Sequence, residues 1–229
     1  MPSAKAEKGL KEESLARYSA SVCRLCRREN LKLFLKGERC FTPKCAFIRR
    51  SYRPGVHGQA RRRALSEFAL GLLEKQKVKR TYGVRERQFK NYFEAASLKK
   101  PSKVSALKPA DLLLAGLEKR LDNVVYRLGF AFSRSVGRQL VSHGHFFVNG
   151  RRVSVPSYEV RVGDAITVRP QSAKMKIFGD LKESLKKHKA PAWLIMDAKN
   201  FEGKIKTEPT PEGIGSPFNV SLIIDHYSR

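Results

Sequence analysis

The residues best equipped for chemistry in this chain are four cysteines spaced Cys23-x2-Cys26-x13-Cys40-x4-Cys45. Thiols clustered this closely, opening with a Cys-x2-Cys pair, suit a tetrahedral thiolate site. The short spacing lets two sulfurs of one turn reach the same ion, and the longer loop brings the second pair across. With all four positions supplied by protein, the metal would be structural, one per chain, with no place left for a substrate. Zinc is the expected ion, and an iron–sulfur cluster on the same ligands stays open as the alternative. Four ordinary small apolar cysteines are the plain reading beside both. Flanking Arg24, Arg27, Arg28, Arg39 and Lys44 are expected to offset the thiolate charge and to favour deprotonation.

The remaining candidates for chemistry are few. His57, His143 and His145 have no acid or nucleophile constellation around them in sequence, and the last two flank a glycine that would stop a helix. Loop structure or contact with a phosphate is the expected role. The letters Arg120-Leu121-Asp122 also surround the aspartate of pseudouridine synthases. Here they fall in a helix, where Asp122 is expected to pair with a nearby arginine. After that region only about 50 residues remain, too few for a catalytic domain of ordinary size. No enzyme activity is expected.

Charge points to the partner. Lys and Arg number 47 against 21 Asp and Glu, a net +26 in 229 residues of which 41% are apolar. The apolar share supports a real core, while that much positive charge repels itself unless a polyanion neutralises it. Nucleic acid fits, because Lys and Arg displace the counterions condensed on phosphates. The excess is uneven: residues 1–105 carry +18 of it. No apolar run approaches the roughly 20 residues of a membrane span, and the polar N-terminus lacks a secretory signal, so a cytoplasmic location is expected. No membrane contact and no small-molecule substrate are expected.

These groups must be positioned by elements. Residues 1–20 read as a flexible extension, 21–46 as the four-cysteine segment, and 47–105 as a basic helical domain. An Arg-, Pro- and Gly-rich loop runs from Arg49 through Arg50, Arg53 and His57 to Arg61-Arg62-Arg63. A helix is expected from Ser66, with Leu65, Phe68, Leu72 and Leu73 on one side and Lys75, Lys77, Lys79 and Arg80 before Gly83. Phe89, Tyr92, Phe93 and Ala96 mark a second helix, and Lys99–Lys103 a linker.

Residues 116–182 read as a helix–helix–hairpin module. Leu117, Leu121, Val124, Val125 and Leu128 form one helical stripe, and Ser133 caps a helix running to about His143. Phe146–Val148 is a strand, Asn149-Gly150 a hairpin turn, and Val160–Val162 and Ala165–Val168 are further strands. Arg120, Asn123 and Arg127, then Arg134 and Arg138, then Arg151 and Arg152 are expected along one surface, as a track for a phosphate backbone. Residues 183–229 read as a C-terminal region packing on what precedes it. The helix expected over Met175–His188 leads into it. Trp193–Met196, Lys204–Thr207 and Val220–Tyr227 are its expected strands. The fold class is α+β: a helical N-terminal domain with a four-Cys metal segment, then the helix–helix–β-hairpin module on a small antiparallel sheet.

The run Arg120–Phe130, with Ser133-Arg134, Arg138–Val141, His143-Gly144-His145 and Val148-Asn149-Gly150, resembles the small RNA-binding module named after the fourth small-subunit ribosomal protein. The other motifs extend the likeness. Cys23–Glu29, Leu35–Cys40, Lys44-Cys45, Pro54–Gln59, Glu74–Lys77, Tyr82-Gly83, Glu86–Phe89 and Tyr227–Arg229 are similar to the bacterial small-subunit ribosomal protein S-four family, in its cysteine-containing zinc type. The resemblance runs from about Arg17 to the last residue. It implies direct binding to small-subunit rRNA in its 5′ region early in assembly. It further implies a place beside neighbouring small-subunit proteins where mRNA enters, with contact to mRNA, and an influence on decoding accuracy. Some members repress their own operon.

The implied RNA contacts comprise Arg24, Arg27, Arg28, Lys36, Arg39, Lys44, Arg49, Arg50, Arg53, His57, Arg61, Arg62, Arg63, Lys75, Lys77, Arg80 and Arg87 in the first half. In the module they comprise Arg120, Arg127, Arg134, Arg138, His143, His145, Arg151 and Arg152. Three departures stand out. Residues 1–16 extend beyond the usual start, Gly137 occupies a position where the family commonly has alanine, and many members lack the cysteines.

Overall fold

The computed structural model describes residues 21–61, 64–98, 108–175, 178–179, 181, 183, 185, 188–197, 200–215 and 217–228. The expected extension at 1–20 and linker at 99–103 lie outside them. In chain order the elements begin with helices α1 (Cys23–Glu29), α2 (Ala46–Arg49), α3 (Glu67–Tyr82), α4 (Glu86–Leu98), α5 (Pro109–Glu118), α6 (Leu121–Arg127) and α7 (Arg134–Ser142). There follow strands β1 (Phe146–Val148), β2 (Arg151–Arg152) and β3 (Ala165–Val168), helix α8 (Pro170–Ala173), strands β4 (Leu194–Asp197) and β5 (Glu202–Ile205), and helices α9 (Pro211–Ile214) and α10 (Val220–Ser228). Two compact units result, residues 1–99 with 218–229, and residues 100–217.

In the first unit, α3 starts where Ser66 Oγ accepts the Ala69 N–H at 3.3 Å, and stops at Gly83, which takes the left-handed conformation at φ 61°. Its buried face differs from the expected one. Leu65 and Phe68 are 46% and 54% exposed, while Gly71, Lys75, Val78 and Tyr82 are buried. The cause is α10, which was expected as a strand. Val220, Ile223, Ile224 and Tyr227 recur at helical spacing, and the β-branched composition obscured that period. Helix α10 packs on α3 so closely that a Cβ at Gly71 would lie 2.8 Å from the Leu222 carbonyl oxygen. Helix α4 buries Phe89 and Ala96 as its spacing implies, and Tyr227 stacks on Phe93 with ring centroids 4.5 Å apart.

In the second unit the apolar stripe from Leu117 to Leu128 is fully buried but belongs to two helices. The chain breaks at Arg120, which is extended at φ −66° and ψ 134° and bridges Glu159, while the Leu121 N–H donates to the Tyr158 carbonyl at 2.9 Å. Helix α5, with Pro109 in its first turn and Asp111 near its N-terminus, had no counterpart in the sequence reading. Ser133 Oγ caps α7 by accepting the Val136 N–H at 3.3 Å.

The five strands form one antiparallel sheet in the order β2-β1-β3-β5-β4, so the C-terminal strands extend the sheet begun by the hairpin. Asn149 and Gly150 turn that hairpin with φ 49° and 77°. Val160–Val162 is not a strand, the only pairing there being the single bridge at Glu159. The inward sheet face (Phe146, Val148, Ile166, Val168, Leu194 and Ile205) packs with Leu121, Val124, Val125 and Leu128 of the stripe and with Leu140, Val141, Phe178, Leu181, Leu185 and Trp193. Of the helix expected over Met175–His188, Leu181, Glu183 and Leu185 are helical, and several neighbours lie outside the described residues. The stretch 183–229, read as one C-terminal piece, divides between the units, its strands in the second and its last helix in the first.

Candidate nucleic-acid interface

All four cysteines are free thiols, and they line one small cavity with Val22, Lys32, Leu35, Lys36 and Phe47. Helix α1 contributes Cys23 and Cys26 one turn apart, a single 3-10 turn over Gly37–Cys40 contributes Cys40, and Cys45 is the residue that opens α2. Leu25, Cys26 and Leu33 form the small core that holds these pieces, with Leu31, Leu35 and Phe47 packed on it. The Lys36 N–H points at Cys40 Sγ at 3.4 Å, the kind of backbone donor that stabilises a thiolate. Among the described residues no three His, Cys, Asp or Glu side chains stand in metal-holding geometry, so the thiols share a cavity without forming a finished ligand shell.

The expectation that flanking cations ease deprotonation is corrected at Cys26. Burial pushes its thiol up and outweighs the hydrogen bond from the Leu33 backbone, and Cys40, Cys23 and Cys45 push the same way. Arg24, Arg28, Arg39 and Lys44 are exposed, where water screens their charge.

The expected phosphate contacts of the first unit fall into two groups. Arg24, Arg28, Lys36, Arg39, Lys44, Arg49, Arg50, His57, Arg61 and Arg87 are exposed. Arg27, Lys75, Lys77 and Arg80 are engaged inside the protein. Arg27 lies over the Tyr52 ring at 4.9 Å, and donates from Nε to the Tyr52 carbonyl at 2.9 Å and from Nη2 to that of Arg53 at 3.2 Å. It ties α1 to the loop that carries the half-buried Arg53. Lys75 is 8% exposed and pairs with Glu86 at 2.9 Å, Lys77 pairs with Glu74, and Arg80 pairs with the buried Glu29. These three were expected as phosphate contacts, and their charges are instead engaged by carboxylates of the same unit. Arg62 and Arg63 lie outside the described residues.

The surface line expected in the module is corrected more sharply. Arg120 is 4% exposed, and its Nε and Nη2 donate to the two Asp122 oxygens at 3.1 and 3.0 Å. Arg138 donates to the same carboxylate, from Nε at 2.8 Å. Arg127 grips Glu118 from Nε at 3.0 Å and Nη2 at 2.7 Å, and Asn123 Nδ2 donates to Glu118 Oε2 at 2.6 Å. Arg134 donates from Nε to Asn123 Oδ1 at 2.7 Å and stacks over the Tyr126 ring at 4.7 Å. Glu118 is fully buried and Asp122 2% exposed. The arginines of α6 and α7 thus turn in toward two internal acids, because an unpaired buried carboxylate would cost several kcal/mol. Asp122 pairs with arginines, as its sequence context implied, and is sealed from any substrate.

What the module exposes is the hairpin and its surroundings. His143, Arg151 and Arg152 are exposed, and Arg152 Nη2 donates to the His143 carbonyl at 3.2 Å. Exposed Arg161 and half-buried Arg169 add to this basic rim, and the sequence reading had assigned neither a role. His145 lies 5.9 Å from His143 between ring centroids, with Nδ1 2.9 Å from Ser172 Oγ. Burial holds its pKa below the usual histidine value, and the charges of His143, Arg169 and Arg152 lower it further. A neutral His145 can hydrogen-bond an RNA but brings no charge to a phosphate. Glu118 also escaped the sequence reading, and its place four residues before Asp122 was the available signal.

Known proteins carry the same sequence pattern. Residues 17–113 match the family described as Ribosomal protein S4/S9 N-terminal domain, and residues 119–166 match the S4 domain. Relatives called small ribosomal subunit protein uS4 include that of Thermus thermophilus, 52% identical over 94% of this chain and all of its own length. Those of Caldicellulosiruptor bescii and Syntrophus aciditrophicus are 53% and 50% identical over the same shares. With a folded hairpin module, internal acids closed to substrate and relatives matched end to end, the chain belongs to the small ribosomal subunit protein uS4 family, whose members are ribosomal proteins and not enzymes.

Proposed function

We propose that this protein is a primary binder of small-subunit rRNA that nucleates assembly of its 5′ region in the cytoplasm. It then sits among neighbouring small-subunit proteins where mRNA enters, and contributes there to decoding accuracy. The observation that carries the reading is the sorting of charge. Glu118 and Asp122 of the module are engaged internally, whereas Arg24, Arg28, Arg49, Arg50, Arg151 and Arg152 are exposed and form no ion pair with an acid among the described residues. Such cations release counterions from a phosphate backbone, and a folded RNA is read mainly through its shape and phosphate placement. The test is binding to the 5′ region of small-subunit rRNA against an unrelated duplex of equal length, across a salt series. Preference for the rRNA that persists near physiological salt supports the reading. Equal binding that vanishes as salt rises would reduce the chain to a generic polycation.

The four thiols fit one structural zinc: the donors are soft, they share one cavity, and a backbone N–H already faces Cys40 Sγ. Cys23, Cys26, Cys40 and Cys45 would hold it, with a [4Fe–4S] or related cluster as the alternative occupant. Such a metal would cross-link α1 to the turn before α2. Because each ligand must lose its proton and burial raises that of Cys26, metal affinity is expected to climb steeply with pH across the neutral range. Elemental analysis with a competition titration at several pH values checks both the stoichiometry of one and the slope. Chelation is expected to expose residues 21–50 to protease, and a metal-free chain with unchanged protection would refute the assignment.

A further inference from the structure

One exposed feature remains outside the roles assigned so far. Phe41, at the end of the 3-10 turn that carries Cys40, is 70% exposed. It pairs with Phe34, ring centroids 5.1 Å apart and planes inclined by 31°. The Lys32 ammonium lies over both rings, 5.3 Å from the Phe34 centroid and 5.9 Å from that of Phe41. Phe34 takes φ 52°, a left-handed conformation that a bulky residue adopts only when its surroundings impose it. A hydrophobic ring left in water on a turn flanked by buried Cys40 and Cys45 is held there by the surrounding fold rather than by burial of its own.

The neighbourhood sets the chemistry of the occupant. From Lys32 to Arg50 there are six Lys and Arg residues and a single acid, Glu38. Lys36, Arg39 and Lys44 are exposed beside the ring in sequence, and Arg39 Nε faces the Lys44 carbonyl at 3.4 Å across the turn. An aromatic pair with one cation over it and others close in sequence accommodates a nucleobase together with its phosphate, whereas an apolar protein surface would have to desolvate those cations. We propose that Phe41, backed by Phe34 and Lys32, is a stacking platform for an unpaired nucleotide of RNA, with Lys36, Arg39 and Lys44 holding the adjoining phosphates. This site rests on the RNA-binding reading above and specifies where that binding senses single-stranded structure. It also separates two contributions: the arginines act through charge, and Phe41 acts through stacking, which carries no charge.

Two measurements on the full chain test it. Phe41→Ala removes the ring at an exposed position, and Phe41→Tyr keeps one. Against the 5′ fragment of small-subunit rRNA, Phe41→Ala is expected to lose about tenfold in affinity. Its slope of log K against log salt should be unchanged, because no cation has been removed. Phe41→Tyr should bind as the parent does. In Phe41→Trp, addition of a twelve-residue oligoadenylate, about the site size of one such binding surface, should quench the new indole, while an RNA duplex should not. Buried Trp193 provides the unresponsive background. Parent-like affinity of Phe41→Ala, or an indole that ignores the single strand, overturns the platform and leaves the ring as a contact for a neighbouring protein. Failure of the parent chain itself to prefer the rRNA would instead remove the RNA-binding reading on which the platform depends.

Discussion

Glu118 and Asp122 are the residues whose chemistry most constrains this molecule. Each is a carboxylate in a core of Leu117, Leu121 and Val125, and each is tolerated because arginine forks meet its oxygens. The amide of Asn123 ties α7 to the Glu118 group by donating to Glu118 while accepting from Arg134. Glu118→Gln places an NH2 where Arg127 and Asn123 already donate. A loss of about 3–5 kcal/mol is expected, the usual consequence of breaking a buried pair by removing one partner. Denaturant unfolding of the two proteins checks it, and a change below about 1 kcal/mol would mean that the arginines find water instead. Gly137 belongs to the same story. A Cβ there would lie 2.8 Å from the Asp122 carbonyl oxygen, so the glycine that weakens α7 as a helix lets α7 approach α6 closely enough for Arg138 to reach Asp122.

At the scale of elements, the contact between α4 and the end of α3 is governed by one carboxylate. Burial pushes Glu86 up, but hydrogen bonds from Lys75 and then Lys79, together with their charges, win and hold it at about 2, below its ordinary 4.5. Tyr227 of α10 donates to the same side chain at 3.1 Å, and burial with the nearby Glu86 charge raises its own pKa. A depressed carboxyl contributes stability that is fully present above its unfolded value and fades as pH falls toward the folded one. Acid titration of the parent should therefore show a loss between about pH 4.5 and about pH 2 that Glu86→Gln lacks. Because the Glu86 side chain is 39% exposed, high salt should shrink the difference. Parallel acid-unfolding curves for the two proteins would show that Lys75 and Lys79 are satisfied without it.

At the scale of the whole chain, residues 218–229 return to the unit formed by residues 1–99, so its integrity depends on its last twelve residues. Helix α10 covers Gly71 on α3 and buries Ile223 completely. Truncation after Pro217 is expected to raise protease and hydrogen-exchange sensitivity in residues 64–98 while leaving the sheet of residues 146–205 protected. Equal protection of both regions in the truncated protein would mean that α3 and α4 hold together without it. The same return has a consequence for synthesis: the first unit cannot complete its core until residues 218–229 have been made.

Sequence alone determined the features that depend on local physics. The Ser133 cap, the Asn149-Gly150 turn and the α4 stripe each rest on a few adjacent residues whose preferred conformations agree, and the cysteine spacing brings its thiols to one cavity. The charge excess and the ordered motifs likewise pointed to a ribosomal RNA-binding family, because both are properties of the residue order alone. Tertiary structure alone decided where each charge is spent. Arg120, Lys75 and Arg151 look alike as letters, yet the first two are buried against carboxylates of their own units and only the third faces solvent. Long-range partners decided the elements too. The β-branched Val220, Ile223 and Ile224 became a helix because α3 offered a glycine-lined face, and the stripe at Leu117–Leu128 was cut where Arg120 met Glu159. A side chain's fate is set by the free energy of what surrounds it, and those surroundings come from residues tens to more than a hundred positions away.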